Sequence, residues 1–119
     1  MTQTLLYKIL TSDDYKAAKE RGYPETELDL GDGFVHLSDG VQVRETLALH
    51  YKGVEGLYLL EFASSDLERA PGALRWELSR GGQLFPHYYD KLMLAWTRRT
   101  WVLGLNANGL PMLPAELLV

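Results

Sequence analysis

Apolar residues gather in short runs between turn-forming clusters, and the spacing within each run assigns an element. Residues 4–10, T-L-L-Y-K-I-L, alternate well enough for a strand. Thr11-Ser12-Asp13-Asp14 then supplies a helix cap and an acidic first turn, Tyr15, Ala17 and Ala18 continue the helix, and Gly22 ends it. Residues 34–37 predict a second strand, after which Ser38 or Asp39 can cap a helix with Val43, Leu47, Ala48 and Tyr51 on one face, closed by Gly53. The run from Gly56 to Ala63 is the most strand-like of all. Beyond the Pro71-Gly72 turn, L-R-W-E-L predicts another strand, and Gly81-Gly82 a hairpin to Leu84-Phe85. Residues 91–105, with Trp96 and Trp101, predict one or two further strands, and Asn106-Ala107-Asn108-Gly109 a turn before an extended, docking tail. Two early helices and several late strands define an α+β class: two helices packed on a mostly antiparallel, split β-sheet.

Composition narrows the classes. With 119 residues, 46% of them hydrophobic, the chain suits a single domain over residues 1–119. Twelve Lys and Arg against sixteen Asp and Glu give a net charge of −4, so nothing global attracts nucleic acid or an anionic membrane, although a local basic patch stays open. The absence of cysteine excludes disulfides, thiolate metal sites and cysteine nucleophiles, and suits a reducing compartment. The start carries no basic leader and no run nears the roughly 18 apolar residues of a membrane helix, so the expectation is a soluble cytoplasmic protein.

Three stretches carry chemistry. In D-G-F-V-H-L-S, strand alternation puts Phe34, His36 and Ser38 on one face and Val35 and Leu37 on the other, which aims the imidazole away from the aliphatic core. The plainer alternative is a packed histidine with one hydrogen bond. In R-W-E, Arg75 and Glu77 share a face, either as part of a site or as a solvated ion pair. In F-P-H-Y-Y, Pro86 interrupts a strand or marks its edge, which would present His87 and Tyr89 from a bent segment, against an alternative of aromatic packing. His50 falls at a helix end where the dipole favours an imidazolium, and is set aside; Trp96 and Trp101 read as packing. No metal-ligand spacing, Walker loop, dinucleotide glycine motif or G-x-S-x-G is present, and no metal is expected.

In order, Y-K-I (7–9), D-G-F-V-H-L-S, Gln42 and Thr46, L-R-W-E and F-P-H-Y-Y resemble a bacterial family, number 952 among the domains of unknown function, over nearly the whole chain. That family is distantly similar to the ADP-ribosyltransferase superfamily, whose members bind NAD in a cleft between two small antiparallel sheets. The resemblance implies an ADP-ribosyltransferase-like fold. It also lays the superfamily's first-strand histidine on Lys8, and V-H-L-S on the histidine-bearing strand of RNA 2′-phosphotransferases. The late glutamate falls near F-P-H-Y-Y, where His87 stands, with Glu77 as a substitute.

A nucleotide cleft of that kind implies His36, Glu77 and His87 as catalytic residues. Tyr88 or Tyr89 would stack on the ligand, His36 and Ser38 would serve ribose, and Lys8 with Arg44 or Arg75 would meet the pyrophosphate. Three readings follow: a domain that binds NAD or a related nucleotide and transfers ADP-ribose; a His/His acid–base phosphotransferase or phosphoesterase; and a non-catalytic nucleotide or metabolite sensor. The expected partner is a small-molecule nucleotide ligand: NAD as substrate in the first reading, a nucleotide or RNA phosphate in the second, and a nucleotide or small metabolite in the third.

Overall fold

The computed structural model describes residues 4–117; both ends of the expected 1–119 domain, including residues 1–3 of the start read as leaderless, lie outside it. Strand β1 (Leu5–Leu10) runs into helix α1 (Ser12–Arg21), where Thr11 Oγ1 accepts the Asp14 N–H at 3.1 Å and Gly22, at φ 96°, closes the last turn on the Ala18 carbonyl. Then come α2 (Glu27–Asp32), β2 (Val35–His36), β3 (Ser38–Asp39) and α3 (Gln42–His50). The second half holds β4 (Leu57–Ala63), α4 (Ser64–Leu67), β5 (Leu74–Leu78), β6 (Leu84–Tyr88) and β7 (Arg99–Leu103). All pairing is antiparallel, in two sheets ordered β3-β1-β4-β7 and β2-β6-β5.

The first sheet is covered on both faces. Leu6, Leu10, Leu60 and Phe62 meet Val35 and Tyr88 of the second sheet, with Ala18 and Leu67 from the helices. On the opposite face Tyr7, Ile9, Leu57 and Leu59 pack against Val43 and Leu47 of α3 and against Leu113 and Leu117 of the tail. A strand buried on both sides reads as a nearly unbroken apolar run, as β1 and β4 do. Their polar exceptions, Lys8 and Glu61, are both buried and both paired.

The structure departs from the expected elements at three points. The stretch 34–37 is not one strand: β2 belongs to one sheet and β3 to the other, with Leu37 between them. Pro86 neither breaks β6 nor marks an edge, since β6 is the central strand of its sheet and Pro86 pairs with Trp76. Its carbonyl accepts the Leu37 N–H at 3.1 Å, but proline has no N–H to return, so the ladder with β2 stops there and the chain crosses over. Residues 91–105, expected to hold one or two strands, hold one, β7, preceded by a short 3₁₀ turn at Leu94–Trp96. Finally α2, absent from the sequence reading, is signalled by T-E-L-D: Thr26 Oγ1 accepts the Asp29 N–H and Asp29 Oδ2 accepts the Thr26 N–H, a reciprocal cap.

Candidate functional site

Where the chain leaves one sheet for the other, a cleft of about 560 Å³ opens, lined from β1, β6, α2, α3 and the β5–β6 turn. His36 and His87 are register partners in β2 and β6, and their ring centroids lie 5.7 Å apart, edge to face. Phe34 stacks on the His87 ring at 4.0 Å and tilts against His36 at 4.5 Å. Both imidazoles line the cleft together with Lys8 and Ser38.

Asp29 organises the floor. Its Oδ1 accepts the His36 backbone N–H at 3.0 Å, lies 2.7 Å from His36 Nδ1, and accepts from Lys8 Nζ at 3.0 Å. Burial by itself would raise the Asp29 carboxyl; the His36 hydrogen bond and the Lys8 ammonium more than reverse this and hold it well below the usual carboxylate range. Burial pushes the Lys8 ammonium down while Asp29 pulls it back. Lys8 also donates to the His36 carbonyl at 3.0 Å, so it fastens the β2 backbone. On its far side His36 Nε2 lies 2.9 Å from Asp32 Oδ2. Both ring nitrogens thus face carboxylates, a pair of bonds that only the doubly protonated ring satisfies in full.

His87 is held differently. Its Nδ1 lies 2.9 Å from Glu77 Oε1, the oxygen that also accepts the Tyr89 hydroxyl at 2.6 Å. Those two hydrogen bonds, the Tyr89 one first, draw the Glu77 carboxyl below its ordinary value, and the Tyr89 hydroxyl is pushed up in return. Because a carboxylate only accepts, Nδ1 carries the proton and Nε2 of a neutral ring keeps its lone pair. Among the described residues no hydrogen bond engages that Nε2.

The remaining expected residues divide. Glu77 and Tyr89 stand behind His87 and do not line the cleft; Tyr89 instead borders a neighbouring hollow of about 260 Å³ with Tyr23 and Phe34. Arg44 is exposed on α3, two positions from cleft-lining Thr46, hence on the opposite side of the helix. Arg75 is in register with His87, yet its guanidinium lies over the Tyr89 ring at 4.5 Å and donates to the Gly72 carbonyl. Tyr88 alternates with its neighbours and is buried in the core.

Sequence reading passed over several groups that do line the cleft. Arg80 donates through Nη2 to Thr46 Oγ1 at 3.1 Å and lies over the Phe85 ring at 5.0 Å. Asp29, Asp32, Tyr51 and the discarded His50 line it too. His50 does end α3, as expected, but on the cleft side, one turn beyond Thr46. Among the described residues no group of three or more histidines and carboxylates is arranged to hold a metal ion, and no helix is long and apolar enough to cross a membrane.

These motifs and this α+β architecture define a family. The chain belongs to the DUF952 proteins, whose function is unknown, through a match over residues 9–99. It is similar to protein CC0527 from Caulobacter crescentus, whose crystal structure shares 42% identity at a TM-score of 0.88 and covers 98% of this chain and 100% of its own. A double-mutant crystal form of CC0527 gives 41% identity and the same score and coverage. The solution NMR structure of CC0527 gives 42% identity and a TM-score of 0.79 over 91% of each chain. No curated protein matches.

Proposed function

We propose that the cleft binds a nucleotide-type ligand and that His87, aimed by Glu77, exchanges protons with it in phosphotransfer or phosphoester cleavage. The observation that carries this is the dyad: a carboxylate on Nδ1 leaves Nε2 as the base in a histidine that lines the cavity. That arrangement takes a proton from a hydroxyl or water and returns it to the leaving oxygen. His36 has a different part. Both its ring nitrogens are engaged by Asp29 and Asp32, so it holds α2 against β2 and the expected histidine pair reduces to one proton carrier.

Kinship with the ADP-ribosyltransferases would make NAD the ligand, and one observation favours that second reading. Carboxylates of α2, Glu27 and Asp32, line the cleft where positive charge on a ribosyl centre would be stabilised. Glu77, which stands behind His87 outside the cleft, would then give up the role expected of it to Asp32.

Incubation with a panel of nucleotide phosphoesters and with NAD separates the readings. Phosphoester turnover that falls about 10²–10⁴-fold in His87→Ala, in a variant with unchanged thermal stability, is the expected result. Turnover undiminished in that variant rejects the dyad. Nicotinamide release from NAD, lost in Asp32→Asn, establishes ribosyl transfer instead, and saturable binding with no product over long incubation establishes a sensor.

A further inference from the structure

We infer that the cleft takes a phosphate ester in one orientation, with the phosphate at Arg80 and the uncharged, hydroxyl-bearing end toward α2. This rests on the nucleotide reading above and adds to it a direction and an anion site. Arg80 is anchored on three sides: the Phe85 ring beneath it, Thr46 Oγ1 on Nη2, and Glu45 Oε1 3.6 Å from Nε. A guanidinium carries five N–H donors, and among the described residues these contacts leave Nη1 without a partner, so its N–H groups remain to donate to a phosphate. Glu45 is largely exposed, so its charge is screened by water and weakens the site little.

Position follows from strand geometry. Phe85 and His87 lie two residues apart in β6, on one face, about 7 Å apart along the strand. A cation seated on Phe85 is thus offset from the His87 position by about that strand spacing, the order of separation that one phosphate hydrogen-bonded on either side bridges. The Ser38 and Thr46 hydroxyls line the same end of the cleft.

The α2 wall is the more acidic one, although Lys8 and His36 pair with Asp29 and Asp32 there. Asp14, Glu27 and Asp32 line the cleft there, as do His50 and Tyr51 at the C-terminal end of α3. Burial, with Asp29 and Asp14 adding to it, pushes the Tyr51 hydroxyl up, as expected beside gathered negative charge. Carboxylates at that wall accept from sugar hydroxyls and amino groups.

The test is an NMR-monitored titration of the full chain with adenosine monophosphate, ribose 5-phosphate and adenosine, repeated in Arg80→Gln and Arg80→Lys. Both phosphorylated probes should shift His87 and Ser38, with Kd raised at least tenfold in Arg80→Gln and less in Arg80→Lys, which keeps the charge but loses the fork. Adenosine should bind more weakly and ignore both substitutions. Equal affinity for adenosine and its monophosphate, or an unchanged Kd in Arg80→Gln with His87 still shifted, overturns the orientation and leaves the cleft standing. Phosphorylated probes that shift no cleft residue overturn the nucleotide reading with it.

Discussion

Asp29 does more for the site than any residue its sequence context advertises. Four donors converge on a carboxylate that is almost wholly buried: the Lys8 ammonium, the Thr26 and His36 backbone N–H groups, and the His36 ring. Asp29→Asn keeps the shape and removes the charge, leaving Lys8 buried without a counter-ion. The expected loss is about 3–5 kcal/mol in urea unfolding. Lys8→Met in the same chain should restore part of it, and a further loss would sink the pairing account. The pH dependence has a definite sign. The folded carboxyl titrates below the unfolded one, near 3.9, so between the two the unfolded chain binds the extra proton. The contribution is therefore complete above about pH 5 and drains away as pH falls, and melts of Asp29→Asn should lack that part of the acid slope.

Helix α2 shows what the sequence concealed and why. Its two leucines, Leu28 and Leu30, are 61% and 64% exposed, so no apolar face declares it, and its hold on the body is polar, through Asp29 and Asp32. Only the reciprocal cap was available as a signal. Thr26→Ala removes half of that cap and should cost about 1 kcal/mol, or about 4 °C in Tm, with the loss confined to α2 amides in hydrogen exchange. Uniform loss of protection across both sheets would show that α2 is not an appendage. The longer elements were legible, because β1, α1, α3, β4 and the β5–β6 hairpin each carry their own apolar spacing, caps or turn glycines. The crossing at Leu37 was not, because it depends on Pro86 withholding a donor from a strand almost fifty residues distant, and no local window contains both. The same divide runs through the site. His36 and His87 stood out by their unusual settings in apolar strands, whereas Arg80 sits in a glycine turn that gives no hint of facing a cleft.

Across the first sheet, the cross-strand register lines up one polar side chain per strand: Ser38, Tyr7, Glu61 and Arg99. Glu61 is fully buried, accepts the Tyr7 hydroxyl at 2.8 Å and takes both Nε and Nη2 of Arg99 at 2.9 Å. Burial would raise its carboxyl, but the Arg99 and Tyr7 hydrogen bonds carry it below the ordinary range. Since Ser38 and Tyr7 line the cleft, this row ties the cavity wall to the outermost strand. Arg99→Leu strands the buried glutamate and should cost about 2–3 kcal/mol, whereas adding Glu61→Leu should return a share of that loss. Equal stability of Arg99→Leu and the parent in chemical denaturation would reduce the row to coincidence.

Leu37 bears on selectivity in a different way. One residue is all that joins the ladder of β2 to that of β3, and its own N–H is spent on Pro86. Prising the walls apart by one residue's rise, about 3.3 Å, would tear rungs from one ladder or the other. Any ligand that needed wider walls would therefore have to break one of those two ladders.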